Sequence, residues 1–316
     1  MRILITGGAG FIGSNLVERL LNDKNNEVIV VDNLSTGSLK NIDSFFKLNN
    51  FKLIEKDITD SSIVDLIKEL DVEEIYNLAC PASPKFYLEY PIETWESSVL
   101  GVRNLLNAIK GTNIKMFHAS TSEVYGDAFE YPQTEEYFGN VNPNGVRACY
   151  DEGKRAAEAL IYDYIRKYDV DVRVVRIFNT YGPKMKESDG RVISNFVMQA
   201  LANDDITIYG SGKQTRSFCF IDDTLDCITA LMKLKDKNDK PINVGNPYEL
   251  SVNEVANIIK KELNSNSKII YLDSMKDDPQ KRKPDISKAK ALLNWEPKVS
   301  FSEGLSKTIE YLKNNK

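Results

Sequence analysis

The chain has 316 residues and a formal net charge of −5, with 41 Lys and Arg against 46 Asp and Glu. That length can bury a substantial core in one large domain or two smaller ones. An acidic balance without a polybasic arm argues against nucleic acid and acidic membrane surfaces as partners. No apolar run approaches the ~20 residues that a bilayer span takes. Cys80, Cys149, Cys219 and Cys227 are scattered without C-x-x-C or metal-ligand spacing, which predicts free thiols in a reducing compartment. The chain begins directly with a strand and no signal peptide precedes it, so a cytoplasmic, soluble protein is expected. His118 is the only histidine, which leaves no His-based triad and no metal site in prospect; it is predicted to be core.

In chain order, Ile3-Leu4-Ile5-Thr6 runs into Gly7-Gly8-Ala9-Gly10-Phe11-Ile12-Gly13, and an amphipathic helix follows to Leu21. Gly7, Gly10 and Gly13 allow a tight turn and close approach of the backbone to a pyrophosphate at the helix N-terminus. The next strand, 27–31, ends in Asp32, nineteen residues after Gly13. An acid there accepts hydrogen bonds from a ribose 2′-hydroxyl and repels a 2′-phosphate, so NAD is predicted rather than NADP. Strand 51–56 ends at Asp57-Ile58, in a position suited to adenine. A helix over 61–70, a strand over 74–78 and a helix over 92–109 follow. Strands alternating with helices predict an α/β fold, a Rossmann-type doubly wound parallel sheet.

The centre of the chain lies between Ser120 and Lys154. Ser120-Thr121-Ser122-Glu123-Val124-Tyr125-Gly126 follows an apolar, strand-like run from Ile114. Tyr150 and Lys154 lie four residues apart on a helix predicted over 148–167, and so share a face. An ammonium beside a phenol favours the phenolate, and lowering a phenol roughly three units from about 10 takes about 4 kcal/mol. A Tyr-x-x-x-Lys pair alone also recurs by chance. The loop 130–143, rich in Pro and Asn, is placed close to this centre.

After strand 172–178 and Asn179-Thr180-Tyr181-Gly182-Pro183 the pattern changes. Asp189-Gly190-Arg191 opens a helix through Ala202, and Gln214-Thr215-Arg216, Asn243 to Asn246 and a terminal helical region containing Asp277 to Ile286 follow. This predicts a smaller, mixed α/β C-terminal lobe. The domain expectation is 1–181, with 217–246 returning to it, for the dinucleotide, and 182–216 with 247–316 for the substrate. Arg191, Arg216 and Arg282 are the candidates for gripping an acidic substrate, because a planar guanidinium pairs with a diphosphate or carboxylate through two charge-assisted hydrogen bonds.

The glycine turn, Asp32, Thr121, Tyr150 and Lys154 together resemble the extended short-chain dehydrogenase/reductase family. Within it the chain is most similar to the UDP-glucuronate decarboxylases. The resemblance rests on Asn77-Leu78-Ala79-Cys80-Pro81-Ala82-Ser83-Pro84, 120–127, Asn142-Pro143, 147–155, 176–183, 189–192, Gln214-Thr215-Arg216 and 277–286, and spans nearly the whole chain. It implies that Gly7, Gly10, Phe11, Ile12, Gly13, Asp32, Asn33, Asp57, Ile58, Ala79, Tyr150 and Lys154 hold NAD. It implies a UDP-sugar on Pro81, Tyr87, Asn104, Glu123, Asn179, Arg191, Gln214, Arg216 and Arg282.

By the same resemblance Tyr150 takes the sugar O4 proton while the C4 hydride passes to NAD. Lys154 lowers the tyrosine pKa and Thr121 hydrogen-bonds O4. The 4-keto-uronic acid then loses carbon dioxide through an enolate, C5 is reprotonated and the hydride returns. Ser122 and Glu123 lie at C5 and C6, and Arg282 binds the diphosphate or assists proton delivery. A 4,6-dehydratase typically carries Asp where this chain has Ser122, and a simple 4-epimerase usually lacks a carboxylate at Glu123. Glu123 beside a substrate carboxylate would favour its expulsion.

One departure stands out: Glu96-Ser97-Ser98 replaces the Lys-Thr-Asn usual in the family. It leaves open a related substrate such as an N-acetylated uronic acid. A 4-epimerase, a 4,6-dehydratase and a non-catalytic NAD-binding scaffold are the alternatives. Helices 92–109 and 148–167 either cover the sheet or form a homodimer seam.

Overall fold

The computed structural model describes residues 1–274 and 281–315. The first half alternates strand and helix: β1 (Arg2–Thr6), α1 (Phe11–Leu21), β2 (Glu27–Asp32), β3 (Phe51–Glu55), α2 (Ile63–Leu70) and β4 (Glu74–Asn77). Three helices, α3 (Pro84–Glu89), α4 (Pro91–Glu96) and α5 (Val102–Ile109), lead to β5 (Lys115–Thr121), α6 (Ala148–Tyr168) and β6 (Asp171–Ile177). These strands lie in the order β3-β2-β1-β4-β5-β6, every pair parallel. The order reverses between β1 and β4, and an open parallel sheet binds its ligand in the crevice at that point, beyond the carboxyl ends of the strands.

Parallel strands covered on both faces read as continuous apolar runs, yet their side chains still alternate. Ile3, Ile5, Val28, Val30 and Phe117 point into one core with α1, and Leu4, Ile29, Val31, Ile75 and Met116 into the other with α2, α5 and α6. The predicted helix over 92–109 is present as one helical run from Pro91 to Ile109, with a π-turn inside it. Pro84 and Pro91 each start a helix at its first turn, where a missing N–H costs nothing. The ladder then widens to a π-turn at Ser97–Gly101. That turn packs on α6, with Ser98 only 3.2 Å from where a Cβ on Gly153 would lie.

The second half continues through β7 (Thr180–Tyr181), α7 (Val192–Ala202), β8 (Ile206–Tyr209), β9 (Thr215–Ser217), β10 (Cys219–Phe220) and α8 (Ile221–Lys233). Then β11 (Ile242–Val244) returns to the main sheet beside β6 as its seventh strand. After it come β12 (Glu249–Ser251), α9 (Val252–Glu262), β13 (Ile269–Leu272), β14 (Lys281–Arg282), α10 (Ser287–Leu293) and α11 (Phe301–Asn314). Strands β12, β9 and β14 make a small mixed sheet in which Arg282 pairs with Arg216. The terminal helical region expected over 277–286 is therefore corrected for 281–286. Gln133 clasps this stretch from outside, its N–H donating to the Lys283 carbonyl at 2.9 Å and its Oε1 accepting from the Lys283 N–H at 2.8 Å. Extended backbone serves those bonds, and a helix would not. Residues 277–280 lie outside the described residues.

Among the described residues no helix is long and apolar enough to cross a membrane. The four cysteines are free thiols. No group of three His, Cys, Asp or Glu among the described residues is placed to hold a metal ion. His118 is buried; its Nδ1 faces the Asn77 amide at 3.1 Å, and burial, with Lys154 nearby, holds its pKa well below the ordinary value.

Candidate active site

A cleft of about 730 Å³ runs across the carboxyl ends of β1, β4 and β5 and under the second half of the chain. Its floor at β1 is the glycine turn. Gly7 has φ +73°, and a Cβ on Gly13 would stand 2.1 Å from the Gly7 carbonyl oxygen, so neither position accepts a side chain as the turn is built. No side chain caps α1, which leaves its first amides directed at the cleft. Asp32 holds the turn, accepting from Ala9 N–H at 2.9 Å and Leu34 N–H at 2.8 Å. Burial nevertheless raises its pKa against those two bonds. Asp57 accepts from the Thr59 N–H at 2.8 Å and the Asn33 amide at 2.7 Å. An uncapped helix, a turn with no room for side chains and a carboxylate at the end of β2 fit a dinucleotide with an unsubstituted ribose.

The chemical end lies where β5 stops. Thr121, Ser122 and Glu123 form its terminal turn, and Thr121 Oγ1 accepts from the Glu123 N–H at 3.2 Å. Helix α6 presents Tyr150 and Lys154 to the same cleft. The geometry departs from the expected pairing: Lys154 Nζ donates to the Ala119 carbonyl at 2.8 Å and stands 6.0 Å from the centre of the Tyr150 ring. The phenol is not lowered. Burial pushes its pKa above the ordinary value, Cys80 adds to this, and a hydrogen bond with Thr121 opposes it.

Glu123 is not a bare charge beside the substrate position. Arg282 holds it in a fork, Nη1 to Oε1 at 2.5 Å and Nη2 to Oε2 at 2.7 Å, and Arg147 Nη2 reaches Oε2 at 2.6 Å. Burial would raise its pKa; Arg282 first, then Arg147, outweigh that and hold it at about 2. The repulsion expected between Glu123 and a uronate is thus largely neutralised. Arg147 also stands 3.6 Å from Asp151, one helical turn on. Neither residue was singled out from sequence. The signal was available: Arg147 and Asp151 are spaced i, i+4 and bracket Tyr150.

Pro81, Tyr87, Asn179, Arg191, Gln214 and Arg216 also line the cleft, as do Phe11, Ile12, Asn33, Ile58 and Ala79. Arg191 is tied to Asp189 at 3.3 Å and to the Ala82 carbonyl at 3.2 Å. Asn104 is the exception and corrects the expectation. Its amide donates to the Ile58 and Thr59 carbonyls at 2.9 and 3.0 Å, so it braces the loop carrying Asp57 and does not line the cleft. Glu96 is exposed and also lies outside the lining, whereas Ser97 lines it and Ser98 faces Cys80 Sγ at 3.3 Å. The loop 130–143 contributes no lining residue; it braces the strand of Arg282 through Gln133. Beneath the site Glu158 accepts from Ser120 and, in a fork, from Arg176.

The family model described as GDP-mannose 4,6 dehydratase matches residues 4–308. UDP-glucuronic acid decarboxylase 3 of Arabidopsis thaliana is 49% identical over 305 residues, 96% of this chain and 87% of that protein. UDP-glucuronic acid decarboxylase 1 of Xenopus tropicalis is 48% identical, over 99% of this chain and 72% of its own length. Among solved structures, UDP-glucuronic acid 4-epimerase from Bacillus cereus, in complex with UDP-glucuronic acid and NAD, superimposes with a TM-score of 0.89 at 28% identity, covering 99% of each chain. Fold, glycine turn, Tyr150 and full-length identity agree: the chain belongs to the extended short-chain dehydrogenase/reductase family, alongside its UDP-glucuronic acid decarboxylases.

Proposed function

We propose that the chain converts UDP-glucuronate to UDP-xylose and carbon dioxide through a 4-keto intermediate, with NAD as a recycled cofactor. The observation that carries this reading is one cleft in which the Thr121 and Tyr150 hydroxyls share a wall with the Glu123–Arg282 ion pair. NAD, when bound, would supply a hydride acceptor for C4 and the hydride for the final reduction. Gly10 to Gly13 would hold its pyrophosphate, Asp32 a ribose, Asp57 and Ile58 its adenine, and Tyr150 and Lys154 the nicotinamide ribose.

Tyr150 takes the O4 proton and gives it back, acting as general base and then general acid. In that role Lys154 and the positive charge of bound NAD would favour the phenolate against the burial that raises its pKa. Once C4 is a ketone, the C6 carboxylate is β to a carbonyl. Loss of carbon dioxide moves its electrons into an enolate at O4, which Thr121 and Tyr150 stabilise by hydrogen bonds. A proton from solvent delivered to C5 restores the C4 ketone before its reduction. Ser122 carries no acid able to expel a C6 hydroxyl, which favours this course over dehydration. Arg191, Gln214 and Arg216 line the part of the cleft assigned to the UDP moiety.

The dinucleotide is assigned to 1–181 with 217–246, and the sugar nucleotide to 182–216 with 247–316. A homodimer through 92–109 and 148–167 is part of the same proposal, because Leu88, Ile92, Trp95 and Leu100 stand 39–64% exposed along the first of these segments and its approach. A cytoplasmic location completes it, from an acidic chain of free thiols.

The test is mass spectrometry and proton NMR of UDP-glucuronate incubated with the protein and NAD. A UDP-pentose with xylose couplings at C4 and C5 is the expected product. Unchanged UDP-glucuronate, or its C4 epimer, would overturn the reading.

A further inference from the structure

Resting on that reading, we propose that Arg147, steadied by Asp151, is a positioning residue that lets Arg282 leave Glu123 for the substrate's C6 carboxylate, and that this exchange selects uronates over neutral hexoses. Three observations carry it. Glu123 is gripped by two guanidiniums from different elements, Arg282 of β14 in a two-pronged fork and Arg147 of α6 by a single bond. Both arginines line the cleft, so the fork of Arg282 is within reach of a ligand. Asp151 is buried, has one carboxylate oxygen without a hydrogen-bond partner, and stands 3.6 Å from the Nε of Arg147.

A carboxylate on a fork is replaced most readily by another carboxylate, because the planar, paired geometry is the same. When Arg282 turns to the substrate, Glu123 would become an uncompensated buried charge unless a second cation stayed with it. Arg147 is that cation. It needs no movement, since its bond to Glu123 already exists, with the carboxylate of Asp151 3.6 Å from its Nε. A hexose with a neutral C6 hydroxymethyl cannot displace Glu123, and Arg282 stays closed on the protein's own carboxylate. Selectivity thus comes from a swap of anions at one guanidinium, after which Arg282 faces the substrate carboxylate and Arg147 faces Glu123.

The test is titration calorimetry of the NAD-loaded protein with UDP-glucuronate and, separately, UDP-glucose. Arg147→Gln is expected to weaken UDP-glucuronate about tenfold or more while leaving UDP-glucose within about twofold. Adding Glu123→Gln removes the stranded charge and is expected to recover most of the lost uronate affinity. Should Arg147→Gln fail to fold, Arg147→Lys supplies the same comparison with a smaller loss of the same sign. Equal weakening of both ligands would show that Arg147 supports the cleft as a whole, or that the diphosphate displaces Glu123, and would overturn the proposal. A second overturning result is failure of Glu123→Gln to recover uronate binding. A uronate-selective loss in a protein whose wild type releases no carbon dioxide would support the exchange and sink the decarboxylase reading alone.

Discussion

Tyr87 lies flat against Tyr150, ring centroids 5.1 Å apart and planes 8° from parallel. Stacking fixes the direction of the phenol and removes water from one side of it, which is why burial dominates its acidity. Tyr150→Phe keeps the stack and deletes only the oxygen. Turnover of UDP-glucuronate should fall by about 10²-fold or more, with thermal stability near wild type and NAD still bound. Unchanged kcat would remove this tyrosine from the mechanism.

Arg282→Ala strips Glu123 of its fork and leaves a buried carboxylate on Arg147. Breaking such a pair costs about 3–5 kcal/mol. Because the carboxyl is held at about 2 when folded against an ordinary 4.5, its stabilisation is present above the unfolded value and lost as pH falls through 4.5 toward 2. Urea unfolding at pH 7 should show the full deficit of the variant. The gap between variant and wild type should narrow as the pH is lowered through that window.

Asp151 behaves in the opposite sense. Burial, then the charge of Glu123, raises it to about 7 in the folded chain, against the pull of Arg147 and Arg282. The folded state therefore binds a proton that the unfolded state releases between the ordinary carboxylate value, 3.8, and about 7. Its contribution is most favourable at low pH and declines through that interval. In Glu123→Gln the repulsion is gone and the arginines remain, so the Asp151 carboxyl should titrate lower. Carboxyl-carbon NMR of both proteins would read this directly, and an unmoved titration would refute the coupling.

Glu96→Lys reverses the charge at a position exposed to solvent and outside the cleft lining. KM and kcat for UDP-glucuronate should change by less than about twofold. A marked gain in affinity would mean that Glu96 reaches the substrate in the working enzyme.

Much of this was legible in the sequence because it is local. The glycine turn, Asp32 at the end of its strand, and the alternation of strands and helices depend on near neighbours. Tyr150 and Lys154 were found by helical spacing. The direction of the lysine was not, since the Ala119 carbonyl that holds it lies 35 residues away. The fork between Arg282 and Glu123 spans 159 residues, and no periodicity encodes such a meeting. Asn104 misled for the converse reason: a polar residue on a helix near the site looks like a ligand contact until its amide is seen bonded to Ile58 and Thr59. The helix over 92–109 was legible in its apolar spacing, but the π-turn inside it was not, because that spacing tolerates one extra residue in the ladder.

The pairing of β14 with β9 has an electrostatic consequence. It sets Arg216 opposite Arg282 in one register, and Arg147, Arg191 and Lys154 face the same hollow. A chain whose formal charge is −5 therefore has a basic cluster in its cleft. A polyanionic sugar nucleotide approaching the acidic exterior is repelled until it nears the mouth, and low-dielectric walls then focus the field inward. Ionic strength acts on both parts of that path, screening the outer repulsion over about 8–10 Å while leaving the buried guanidiniums largely untouched.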